Sequence, residues 1–254
     1  MVSLTNIFLL LALFLAGCSS PSGRAEWPDQ QDAPVILERQ QPSVLPPPGV
    51  IASRLFAGPG QYPPEAFAAY GIVAFRSSAL TEDQERNLAI CEGYRSTLLP
   101  SSTVTEELDI PTSRQMVTVW PIATDAVAAG LESGEIDDVC ATAIDQYGFT
   151  SASVALRDPA FQRHVNGGDG PFLLAWAPTD QIGQRGALVL VLDLSYVRTP
   201  SQARRMFILW AREIEGDSSL WDNSGWNVSR LRAKLSLLAD FYGSRALSLF
   251  PGSS

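Results

Sequence analysis

"PFLLAWAPTDQIGQRGALVLVLDL", residues 171–194, carries the clearest fold signal in the chain. Two apolar runs, 171–178 and 187–194, flank the polar segment 179–186, the pattern of a β-hairpin with a long loop. Neither run alternates with polar residues, so both are expected as central strands. Shortly after them, "TPSQ" at 199–202 has the form of a capping box with proline at the first helical position. Ala203, Phe207, Trp210 and Ile214 follow at helical spacing, as the buried stripe of the helix that the box opens. A last helix is expected from about Val228 to Tyr242, with Leu231, Leu235, Leu238 and Tyr242 on one face and Gly243 ending it.

Upstream of the hairpin, helices and strands alternate. "YPPEAFAAYG" (62–71) suggests a short helix with prolines in its first turn, and "GIVAFR" (71–76) a buried strand. "TEDQ" (81–84) is a second capping box, with Thr81 as cap and Gln84 three residues on. It should open a helix to about Leu98, whose apolar face carries Leu88, Cys91, Tyr94 and Leu98. "QMVTVWPI" (115–122) reads as a strand closed by Pro121. Three short helical patterns lie between residues 124 and 158. The clearest spaces Ile136, Cys140, Ala143 and Tyr147 helically and begins at Asp137 and Asp138, which complement the positive end of a helix dipole. Strands interleaved with helices and then a hairpin predict a single α/β domain over residues 51–254, a mixed four-stranded sheet sandwiched by helices.

That order is similar to the thioredoxin fold, and "GPFLLAW" (170–176) resembles the proline-led third core strand of that fold. The resemblance is one of topology. The family's Cys-x-x-Cys should follow the first strand, where this chain reads "RSSALT", so the family's redox chemistry is not implied.

The amino terminus places the chain in a cell. Ile7 to Ala16 is an apolar run of about ten residues, too short at ~1.5 Å per residue for a ~30 Å hydrocarbon core but suited to a secretory signal. Leu15-Ala16-Gly17-Cys18 resembles the lipobox of bacterial lipoproteins. The resemblance implies cleavage of residues 1–17, a lipid on Cys18 and, from Ser19, sorting to the outer membrane facing the periplasm. Residues 18–50, with Pro21, Pro28, Pro34, Pro42 and the run Pro46-Pro47-Pro48, then read as an anchored tether. With Cys18 lipidated, Cys91 and Cys140 remain as an even pair, read either as a disulfide or as two small buried hydrophobes.

Composition limits the chemistry. A formal charge of −9 repels a phosphate backbone, and nucleic acid is not expected as a partner. Lys234 is the only lysine, which excludes a P-loop lysine or a Schiff base elsewhere. His164 is the only histidine and no metal-ligand spacing surrounds it, so neither a metal nor a cofactor is expected. "NGGDGP" (166–171) precedes a strand rather than a helix and lacks a lysine, which makes it a turn rather than a phosphate cradle.

If the first two core strands are parallel and the third runs back, one sheet edge collects several polar and aromatic groups. These are Ser77 and Ser78, Trp120, and the loop containing His164, Asp169, Gly170 and Pro171. Such a site needs part of the Trp120 indole exposed; the other reading is that Trp120 packs in the core. The functional expectation is a non-enzymatic envelope lipoprotein that binds a partner protein or cell-envelope component. The alternative is an envelope hydrolase or redox factor using His164 or the Cys91/Cys140 pair.

Overall fold

Continuous apolar strands need cover on both faces, and the fold supplies it with helices. A computed structural model describes residues 49–62, 64, 66–76, 82–134, 138–164, 170–182, 184, 187–222, 225–242 and 247–250. The strands are β1 (Ile51–Ala57), β2 (Ala69–Ala74), β3 (Gln115–Pro121), β4 (Phe172–Trp176), β5 (Val189–Asp193), β6 (Trp221–Asp222), β7 (Gly225–Trp226) and β8 (Leu247–Phe250). The helices are α1 (Gln84–Thr97), α2 (Ser101–Glu106), α3 (Asp125–Ser133), α4 (Val139–Asp145), α5 (Phe149–Leu156), α6 (Pro159–His164), α7 (Pro200–Leu209) and α8 (Val228–Tyr242). A π-helical turn, Trp210–Glu215, continues α7.

The main sheet runs β1-β3-β2-β4-β5-β8, and β6 and β7 form a separate small hairpin. The β1–β3 and β2–β3 pairs are parallel, and the β2–β4, β4–β5 and β5–β8 pairs antiparallel. The expected α/β class, mixed sheet and hairpin of 171–194 are therefore present. The sheet, however, has six strands where four are expected.

Register sets the two faces. Thr118 pairs with Arg54 and with Gly71, and Gly71 pairs with Ala175, so these residues share one face, as does Trp120 two residues along β3. Helices α1 and α7 cover it, with Tyr94 and Phe207 rings 5.7 Å apart and Tyr94 5.6 Å from Trp120. The two helices meet at Gly93, where an added Cβ would lie 2.5 Å from Cβ of Ala203. The opposite face carries Tyr70, Phe172 and Trp176 and is covered by α5 and α6. There Phe161 meets Phe172 at 5.1 Å, and Trp176 Nε1 donates to Asp158 Oδ2 at 3.3 Å.

Several boundaries differ from the sequence reading, each for a physical reason. Strand β1 was missed because "IASRLFA" places Ser53 and Arg54 mid-strand, both buried. Arg54 Nη1 donates to Glu132 Oε1 at 3.3 Å, a partner 78 residues away. The outer edge of β1 is closed as well: Arg54 N donates to the Leu99 carbonyl at 2.8 Å and Phe56 N to Glu132 Oε1 at 2.6 Å. Both amides are thereby unavailable for pairing with another chain.

The helix expected over 62–71 is absent among the described residues of that segment, and β2 begins inside it at Ala69. The cap of α1 is Asp83, whose side chain accepts from Arg86 N, not Thr81, which lies outside the described residues. Along α1, Cys91, Tyr94 and Leu98 are buried as expected and Leu88 is half-buried. The three helical patterns of 124–158 appear as α3, α4 and α5, with Asp138 capping α4 through Ala141 N. Thr199 caps α7 as expected by accepting from Gln202 N. Asn227 caps α8 by accepting from Arg230 N, and Leu231, Leu235 and Leu238 are buried beneath it.

Candidate functional site

Helix α7 is apolar on more than one side. Ala203, Phe207, Trp210 and Ile214 are buried against the sheet as the sequence implies. A second stripe, Gln202, Arg205, Met206, Leu209, Arg212 and Glu213, lines a groove of about 430 Å³ together with Tyr196 and Ile208. That volume lies in the range of small-ligand and short-segment sites, about 300–1,000 Å³. Met206 and Leu209 are buried and form the floor, while Arg205 and Arg212 are exposed at the rim.

The wall opposite the helix is the turn after β5. Asp193 accepts from Ser195 N at 2.8 Å, and this bond shapes the turn that presents Tyr196. The Tyr196 hydroxyl lies 3.0 Å from Met206 Sδ, and the residue remains 44% exposed. Burial, followed by the nearby Asp193 carboxylate, pushes its phenol up to about 12, so the group stays a neutral hydroxyl. Gln202 ties turn to helix by accepting from Arg198 N at 2.7 Å.

The charges of the groove are unequal. Lys234 shares its charge between Glu213 and Asp217, with Nζ 2.6 Å from Glu213 Oε2 and 3.2 Å from Asp217 Oδ2. These bonds raise the Lys234 ammonium above its usual range. Among the described residues, Arg205 and Arg212 take part in no ion pair. The groove thus offers an apolar floor between two uncompensated guanidiniums.

Behind the groove the same helix is held from inside. Trp210 Nε1 donates to Thr118 Oγ1 at 3.2 Å, and Thr118 Oγ1 donates to Glu215 Oε1 at 3.0 Å. Glu215 is fully buried, and Trp221 Nε1 donates to its backbone carbonyl at 3.0 Å. Its Oε2 has no hydrogen-bond partner among the described residues. Burial pushes the carboxyl up to about 8, against the partial offset of Thr118 and Trp210, so it is largely protonated at neutral pH. The wider π-helical spacing turns Trp210, Ile214 and Glu215 inward and leaves Arg212 outward.

The sheet-edge site expected from the sequence does not survive at Trp120. The indole is fully buried, its Nε1 donates to the Ala143 carbonyl at 3.1 Å, and Tyr94, Phe75 and Tyr147 surround it. A large ring with a satisfied N–H is a core element, and Trp120 is withdrawn as a recognition group. Gly170 and Pro171 are buried; Gly170 has a φ of +76°, and a Cβ there would lie 2.8 Å from the Phe172 ring. Ser77, Ser78, Asp169 and Cys18 lie outside the described residues. His164 ends α6, and its side chain is likewise outside them.

Cys91 and Cys140 form a disulfide that links α1 to α4, with 0% and 5% of each residue exposed. Exchange with another thiol therefore requires these helices to part. Comparison with family models, with curated proteins and with solved structures finds no match for the chain. The groove was missed because the reading of α7 stopped at one buried stripe. The signal was present as Met206 and Leu209 beside that stripe, with arginines seven residues apart flanking them.

Proposed function

We propose that the chain is an envelope lipoprotein without catalysis of its own, anchored by lipid on Cys18 and binding a partner protein or cell-envelope component through its α/β body. The observation that carries this reading is the buried Cys91–Cys140 bridge. The chain has three cysteines, so the bridge leaves Cys18 as the odd thiol, and it stands in the lipobox-like Leu15-Ala16-Gly17-Cys18. A structural disulfide also suits an oxidising compartment outside the cytoplasm. The groove on α7 is the recognition surface in this reading. Likeness to the thioredoxin fold is part of the proposal at the level of strand order only, supported by the β3-β2-β4-β5 core with its parallel pair and antiparallel hairpin.

The test is metabolic lipid labelling of the full chain and of Cys18→Ser. Label on the wild type alone, with an unprocessed precursor in the variant, is the expected result. Normal cleavage and unchanged membrane partitioning of Cys18→Ser would overturn the reading.

A further inference from the structure

The geometry points to the α7 groove as a site for an extended acidic segment of a partner protein, with two carboxylates three residues apart and an apolar side chain between them. This inference rests on the partner-binding reading above and deepens it. Arg205 and Arg212 are seven residues apart along a continuous helix, which sets their Cα atoms about 10 Å apart along its axis. A segment in the extended polyproline II conformation rises about 3.1 Å per residue with three residues per turn, so side chains at i and i+3 share one side and span nearly the same distance.

Between the two arginines the floor is Met206 and Leu209, with the Tyr196 ring opposite. Methionine adapts its shape to varied apolar side chains. The Tyr196 hydroxyl donates to Met206 Sδ at 3.0 Å, which fixes the ring against that floor and leaves the oxygen as an acceptor. Guanidinium groups favour carboxylates through paired N–H donors.

Charge selects the partner within the site. The chain carries −9 overall, so a uniformly acidic protein is repelled at long range, and a short acidic segment is accepted only where the local sign reverses. That reversal occurs at this groove, because Arg205, Arg212 and Lys234 outnumber Glu213 and Asp217, and no ion pair among the described residues engages Arg205 or Arg212. Selectivity then comes from the spacing of two charges around an apolar residue.

The experiment selects a random linear peptide library against the lipidated full chain in detergent micelles, with Arg205→Gln/Arg212→Gln as counter-target. Both arginines are exposed, and an unchanged melting temperature verifies that the variant folds. The expected result is enrichment of Asp or Glu three residues apart around an apolar residue. Binding of the selected peptide should fall at least tenfold in the double variant, and at least tenfold when its acids are replaced by amides. Enrichment without acidic residues, no enrichment, or binding indifferent to the double variant would overturn the inference. So would tight binding of phosphatidylglycerol vesicles with no peptide enriched, since the occupant would then be a lipid surface. Lipid labelling of the same preparation reads the anchor independently, so a failed selection with labelled protein overturns the groove assignment and leaves the lipoprotein assignment standing.

Discussion

Helices α1 and α4 are tied by a covalent bond, whereas the π-helical turn after α7 is tied to β3 by hydrogen bonds that end on a carboxylate. Both ties are buried and both act over the face of the sheet that holds Trp120. They differ in what breaks them. The bridge closes a loop across a sequence separation of 49 and responds to reductant. The Trp210–Thr118–Glu215 chain responds to pH, because a buried carboxyl with one unpartnered oxygen is tolerated only while protonated. The lesson is that one face of a sheet can carry a constraint indifferent to pH beside one indifferent to redox state.

The strongest way to separate the two is pH. The Glu215 carboxyl lies at about 8 folded against an ordinary value of 4.5, so the folded state retains a proton that the unfolded chain has released. Stability from this group is therefore present at low pH, falls as pH rises through 4.5 towards about 8, and is level above that. The full loss approaches about 5 kcal/mol as an upper bound, at about 1.4 kcal/mol per unit. Glu215→Gln should remove this slope and melt higher than wild type at pH 9, read by thermal melts across pH. Parallel pH curves for the two proteins would show that the carboxyl is not held neutral.

Breaking the covalent tie comes second. Cys91→Ser/Cys140→Ser should lose about 4 kcal/mol in the chain-entropy account of a loop this long, lowering the melting temperature by roughly 10 °C. The drop should be the same at pH 5 and pH 8, which sets it apart from the carboxylate tie. A melting temperature insensitive to both reductant and the double substitution would remove the clamp.

Thr118→Val is third. It strands the Trp210 N–H and the Glu215 Oε1 together, and two buried orphans cost about 3 kcal/mol. Its effect should be subadditive with Glu215→Leu in a double-mutant cycle measured by denaturant unfolding, because each removes the Thr118–Glu215 bond, which a glutamine oxygen would keep. Strict additivity would break the picture of one connected chain. The smallest effect is expected outside: Arg205→Gln/Arg212→Gln should change stability by less than about 0.5 kcal/mol in the same denaturant assay, as for surface substitutions without partners. A larger loss would make the groove arginines structural rather than recognition groups.

Much of this was legible along the chain. Thr199 with Gln202, Pro200 at the first helical position and the stripe Ala203–Phe207–Trp210–Ile214 are local relations within a few residues, and the structure holds them as read. The same is true of the 171–194 hairpin, since chain continuity alone brings its strands together. The candidate site was legible only in part. Trp120 was expected at the carboxyl-end edge of the sheet, but Ala143 of α4 accepts from its Nε1 and Phe75, Tyr94 and Tyr147 close around the ring. These groups come from segments distant in sequence, and they make an indole at a strand end interior.

Local spacing alone locates β2, β3, the 171–194 hairpin and the helices α1, α7 and α8, with the cap of α7, and leaves two cysteines once the lipobox-like thiol is set aside. These follow from periodicity and capping, which act over one or two turns. Folding alone brings Arg54 in its strand to Glu132, Cys91 to Cys140, and Glu215 beneath Thr118, 97 residues away in sequence. A buried charge or carboxyl is stable only where folding supplies its partner, and distant partners leave no trace in local spacing.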